Sequence, residues 1–110
     1  MSFRFNEFAK QMHELAKEKG WWNRDRGFGE LIALLHSELS EALEEYRANH
    51  PVTEIRFDDD KPCGVPTEFA DLIIRLADLC GAYDIDLEKA VQLKVKYNHT
   101  RPFRHGGKAI

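Results

Sequence analysis

The chain reads as an all-α domain, four helices packed as a bundle. Three observations predict it. Apolar residues recur at three- and four-residue spacing over most of the 110 positions, as on amphipathic helices. Residues that stop or start helices (Gly20, Pro66, Asp86 and Pro102) fall between the periodic stretches. Residues 50–65 form the one long connection.

The first helix is expected over residues 5–19, with Phe5, Phe8, Met12 and Leu15 on one stripe and Gly20 as its stop. The second covers residues 29–49, its stripe being Ile32, Leu35, Leu39, Ala42 and Tyr46. The third covers residues 66–83, with Pro66 in its first turn. Its stripe is Phe69, Ile73, Leu76, Cys80 and Tyr83, and Leu72, Ile74 and Leu79 widen it past half the circumference. A surface helix needs less than that. The third helix is therefore central, or it also meets another subunit, and the bundle is expected to be completed by homo-oligomerisation. The fourth helix starts at the N-cap residue Asp86 and ends before Pro102. In the connection, residues 53–57 suit a short strand with no visible partner, and Asp58-Asp59-Asp60 reads as a solvated turn.

The length fits one domain over residues 1–110, with residues 104–110 as a flexible tail. A net charge of −3 argues against a nucleic acid polymer as partner. Its distribution says more. Between Glu38 and Asp71 there are ten acidic residues against Arg47, Arg56 and Lys61, whereas from Lys94 onward there are five basic residues and no acidic one. An acidic middle and a basic end suit a metal site beside a phosphate site. Cys63 and Cys80 make no disulfide framework, and Cys80 falls on a core stripe. No apolar signal segment and no bilayer-length run occur, so the expected setting is cytoplasmic and without membrane contact.

Four carboxylates form two matched pairs, Glu38 with Glu41 and Glu68 with Asp71. Each pair has i,i+3 spacing, which puts both members on one helix face. The pairs edge the apolar stripes of the second and third helices. Packed side by side, those helices would gather four mutually repelling carboxylates, an arrangement that hard divalent cations relieve. Oxygen ligands suit Mg²⁺, with Mn²⁺ a possible substitute. The bland alternative is two solvated faces with local ion pairs, such as Asp71 with Arg75.

On the fourth helix, Leu87, Ala90 and Val91 define an inner face that continues through Lys94, Tyr97 and Asn98. A lysine and an asparagine on a buried stripe need partners. Either Lys94 snorkels and Asn98 caps the helix, or both bind a polyphosphate, with Arg101 and Arg104 adding charge. Trp21 and Trp22 follow the first helix, and Trp22 is a candidate to stack on a base.

These residues carry a resemblance. The two acidic pairs, Gly20-Trp21-Trp22, the run from Ser37 to Arg47, and Arg101-Pro102-Phe103-Arg104-His105-Gly106-Gly107-Lys108 are together similar to small single-domain members of the MazG-like all-α nucleoside triphosphate pyrophosphohydrolases. The resemblance covers nearly the whole chain. It implies that Glu38, Glu41, Glu68 and Asp71 bind Mg²⁺ and that Lys94, Asn98 and Arg101 face the phosphates. Glu41 would then orient or deprotonate the attacking water, and Lys94 would stabilise the leaving group. Many members carry a further glutamate where this chain has Ser37, and Glu45 is a candidate substitute base. The implied reaction cleaves a nucleoside triphosphate between the α and β phosphates, in a homodimer or homotetramer. Two other readings stand beside it: an enzyme like phosphoribosyl-ATP pyrophosphohydrolase, and a non-catalytic helical nucleotide-binding or interaction protein.

Overall fold

The computed structural model describes residues 4–102. Four helices dominate: α1 (Phe5–Glu18), α2 (Phe28–Arg47), α3 (Val65–Tyr83) and α4 (Leu87–His99). Between α2 and α3 lies a hairpin of β1 (Arg56–Asp58) and β2 (Lys61–Cys63). The all-α class is as expected, and each helix begins and ends within two residues of its expected bounds. The segment 103–110, with Arg104 and the expected tail, lies outside the described residues.

Local chemistry sets the boundaries. After α1, Gly20 takes a left-handed φ of 84°, which glycine adopts without a Cβ penalty. Asp84 ends α3 in the left-handed region, and the Asp86 carboxylate caps α4 by accepting from the Lys89 amide at 3.0 Å. The hairpin is the strand expected near residues 53–57, shifted forward, with its partner just across Asp59-Asp60. Register pairs Arg56 with Cys63 and Asp58 with Lys61. Asp59 has φ 55°, the positive φ that a two-residue hairpin needs at its first central position. The partner strand is illegible in sequence because Pro62 argues against a strand.

Helix α3 is central, packing on α1 along one side and on α2 along the other. Phe5, Ala9, Ala77 and Cys80 form the α1–α3 core, with Phe8, Met12, Leu76 and Leu87 packed around them. Small residues let these helices approach closely. A Cβ on Gly81 would lie 2.6 Å from the Ala9 carbonyl oxygen. Burial raises the Cys80 thiol pKa, and both cysteines are free thiols.

The two flanks of the α2–α3 pair differ in chemistry. At about 100° per residue, Glu38, Glu41 and Glu45 fall on one flank of α2, and Leu39, Leu43 and Tyr46 on the other. On α3, Asp71 and Asp78 fall on one flank, Phe69 and Ile73 on the opposite one. An edge-to-face contact of Phe28 with Tyr83, with ring centroids 5.2 Å apart, shows where the apolar flanks meet. That flank is uncovered: Leu43 is 54% exposed and Phe69 50%.

Helix α4 corrects an expectation. Leu87 and Val91 are half-buried, but the stripe does not continue inward: Lys94, Tyr97 and Asn98 are exposed. The helix packs on α1 at its beginning and then projects from the layer. The chain alone is thus a three-helix layer with an outlying fourth helix.

Candidate functional site

The α2–α3 contact brings three of the four carboxylates together. Ligand oxygens of Glu38, Glu68 and Asp71 all lie within 4.8 Å of one another. Glu38 is buried at 8% exposure, Glu68 half-buried and Asp71 at the rim. Burial, then the charges of Asp71, Glu38, Glu41 and Glu45, raise the pKa of Glu68. Asp71 is raised by partial shielding of its carboxyl and by Glu38, against the opposing fields of Arg75 and Lys61. Like charges held this close disfavour their own ionisation. The donor set, all hard oxygen and under-neutralised, fits a divalent cation such as Mg²⁺. Glu41, one turn on from Glu38, is exposed and stands outside the tight trio, though its charge still bears on Glu68.

The local ion pair between Asp71 and Arg75 is not the one that forms. Arg75 instead reaches across to α2 and donates from Nε to Glu38 Oε1 at 2.6 Å. Its guanidinium carbon lies 4.7 Å from the centre of the Trp21 ring, while that of Arg26 lies 4.0 Å from it. Trp21 thus carries two guanidinium groups. A cleft of about 370 Å³ opens beside the trio. Met12, Leu15, Trp21 and Ile74 give it apolar walls, and Glu38, Asp71, Arg75 and Asp78 line it as well.

Glu45 has a different role from the one expected. It accepts a hydrogen bond from Arg56 Nη2 at 2.9 Å, pairs with Arg56 Nη1 at 2.8 Å and contacts His50 Nδ1 at 2.8 Å. The Arg56 hydrogen bond, followed by His50, holds its pKa down to about 2. A carboxylate held this low is a poor acceptor for a proton from water near neutral pH. Glu45 fastens the hairpin to α2 instead. Trp22 is likewise spoken for. Its indole N–H donates to Asp78 at 2.9 Å to Oδ1 and 3.2 Å to Oδ2. Asp78 Oδ1 also lies 2.9 Å from His13 Nδ1. The tryptophan that lines the main cleft is Trp21.

The phosphate-facing residues of the expectation lie apart from the trio within one chain. Lys94 Nζ is 5.3 Å from the Tyr97 ring centre, and the guanidinium of Arg101 is 5.9 Å from it. Among the described residues no hydrogen bond or ion pair joins Lys94, Asn98 or Arg101 to the carboxylates. The sequence reading offers Arg75 only as a local partner of Asp71 and Trp21 only as the neighbour of Trp22, and it passes over the buried Asp78. The signal for Asp78 was available: an aspartate in the most apolar part of α3, one heptad after Asp71, needs a buried partner.

Comparison with protein-family models, with curated proteins and with solved structures gives no match.

Proposed function

We propose that the chain is a Mg²⁺-dependent nucleoside triphosphate pyrophosphohydrolase. The carrying observation is the convergence of Glu38, Glu68 and Asp71 at the mouth of an apolar cleft walled by Trp21. A triphosphate on the carboxylate side and a base in the cleft match the two chemistries that meet there. Water attacks the α-phosphorus, the bond to the α–β bridging oxygen breaks, and a monophosphate and pyrophosphate leave.

Glu38, Glu68 and Asp71 would hold the cation, with Glu41 completing the set. Bound there, Mg²⁺ supplies charge neutralisation and polarisation of phosphate oxygens. Glu41, exposed and outside the trio, would orient or deprotonate the water. Trp21, whose ring already lies under the guanidinium groups of Arg26 and Arg75, would supply an apolar wall beside the base.

The same proposal makes the protein a homo-oligomer. Leu39, Leu43, Tyr46, Phe69 and Ile73, together with Leu93, Val95 and Tyr97 of α4, are each 40% exposed or more. Exposed apolar side chains in this number are surface that a partner can cover. In such an assembly Lys94, Asn98 and Arg101 would serve the carboxylates of a neighbouring copy. A cytoplasmic setting belongs to this reading. Among the described residues no helix is long and apolar enough to cross a membrane.

A pyrophosphate-release assay over standard and modified nucleoside triphosphates, with and without Mg²⁺, tests the reading. Metal-dependent release is expected, lost by about a thousandfold or more in Glu41→Gln and Asp71→Asn variants that stay folded. Wild-type turnover in the Asp71→Asn protein would remove the carboxylates from the mechanism.

A further inference from the structure

One cation already occupies the acidic site. The Arg75 guanidinium sits on Glu38 at 2.6 Å, and Glu38 is the most buried of the three carboxylates. A buried carboxylate without a partner is costly, and Arg75 satisfies Glu38. A divalent cation bound by Glu38, Glu68 and Asp71 would meet that guanidinium at close range. The two positive groups compete for one carboxylate. Released from Glu38, the Arg75 guanidinium would keep its place over the Trp21 ring and beside the cleft that it lines.

We propose that Arg75 is a resident counter-ion that holds Glu38 in the metal-free protein and gives it up when a divalent cation binds. Its N–H donors are then free for oxygen atoms of a ligand in the cleft. This rests on the reading of the trio as a cation site. It makes Arg75 a positioning residue that links the cation site to the ligand cleft, so that filling one favours filling the other.

The proposal predicts effects of opposite sign. Removing the charge with Arg75→Gln takes away a competitor within a few ångströms of the cation. Magnesium binding by the ligand-free protein, read by isothermal titration, should tighten by about tenfold. In the same variant kcat/KM for the preferred triphosphate should fall, mainly through KM. A variant that merely damages the fold would weaken both. Arg75→Lys keeps the charge and should bind Mg²⁺ within about twofold of wild type.

The unsubstituted protein gives an independent readout. The Arg75 Nε–H resonance, followed by ¹⁵N–¹H spectroscopy, should shift and lose protection from solvent exchange as Mg²⁺ is added. An Nε–H signal unchanged at saturating Mg²⁺ overturns the proposal, as does weaker or unaltered Mg²⁺ binding by folded Arg75→Gln. Failure of the wild-type protein to bind Mg²⁺ at all would instead sink the cation site beneath it.

Discussion

Glu45 and Asp71 are both acidic residues flanking the α2–α3 contact, yet their surroundings drive them in opposite directions. Glu45, held by Arg56 and His50, stays ionised to about pH 2. A depressed folded pKa contributes stability that is complete above the ordinary value of 4.5 and is lost as pH falls from there toward 2. Glu45→Gln should therefore narrow the difference between denaturant midpoints measured near pH 6 and near pH 3. Asp71 and Glu68 are raised, so the sign reverses. Stability present at and below 3.8 for Asp71 is lost as pH climbs through its raised folded value. In metal-free protein at neutral pH, Asp71→Asn should raise the melting temperature by about 1–4 °C while abolishing pyrophosphate release. A lowered melting temperature would mean that the carboxylates do not strain one another. The i,i+3 spacing made legible that Glu38 shares a face with Glu41, and Glu68 with Asp71; that Glu38 rather than Glu41 meets the α3 pair depends on how α2 packs on α3, which spacing does not encode. Glu45's engagement was not, since Arg56 and His50 reach it through an irregular segment whose path no periodicity encodes.

At the scale of elements, the hairpin and the start of α3 hinge on Gly64. Its φ is 129°, and a Cβ there would lie 2.2 Å from the Glu54 carbonyl oxygen. Gly64→Ala should cost about 3 kcal/mol or more, read from urea unfolding, because strain and backbone overlap add. Since α3 carries Glu68 in its first turn, the same change should weaken Mg²⁺ binding. Asp78 plays the matching part between α1 and α3. It lies buried and ties Trp22 to His13, and each charged hydrogen bond of this kind is worth about 1.5–3 kcal/mol. The helices themselves were readable, since their stops and caps are single-residue signals. The fourth helix shows where that reading fails: a wheel diagram gives the face of a helix, but not whether another helix arrives to cover it.

For the whole molecule, the unequal flanks of the α2–α3 pair are the dominant fact. An apolar flank as exposed as this one invites a second copy, and Ile73→Asp should shift the protein to a monomer in light scattering while its far-ultraviolet dichroism persists. A wild-type protein that is monomeric at micromolar concentration would remove the homo-oligomer from the proposal. Mixing an Asp71→Asn chain with a Lys94→Ala chain asks the sharper question. If α4 serves a neighbouring copy, mixed dimers regain one intact site, and about a quarter of wild-type activity returns to the population. No recovery would place each site within one chain. The attachment of α4 sharpens this further. Asn6 accepts from the Glu88 amide, donates to Asp86 at 2.8 Å through its side chain and to Glu88 at 2.7 Å through its backbone. This clasp grips only the first turn of a helix about 20 Å long. Mechanically it is a pivot with a long arm, so a tilt of about 10° at Asn6 moves the far end by about 3.5 Å. A small residue near the chain's beginning therefore sets the aim of the cations near its end.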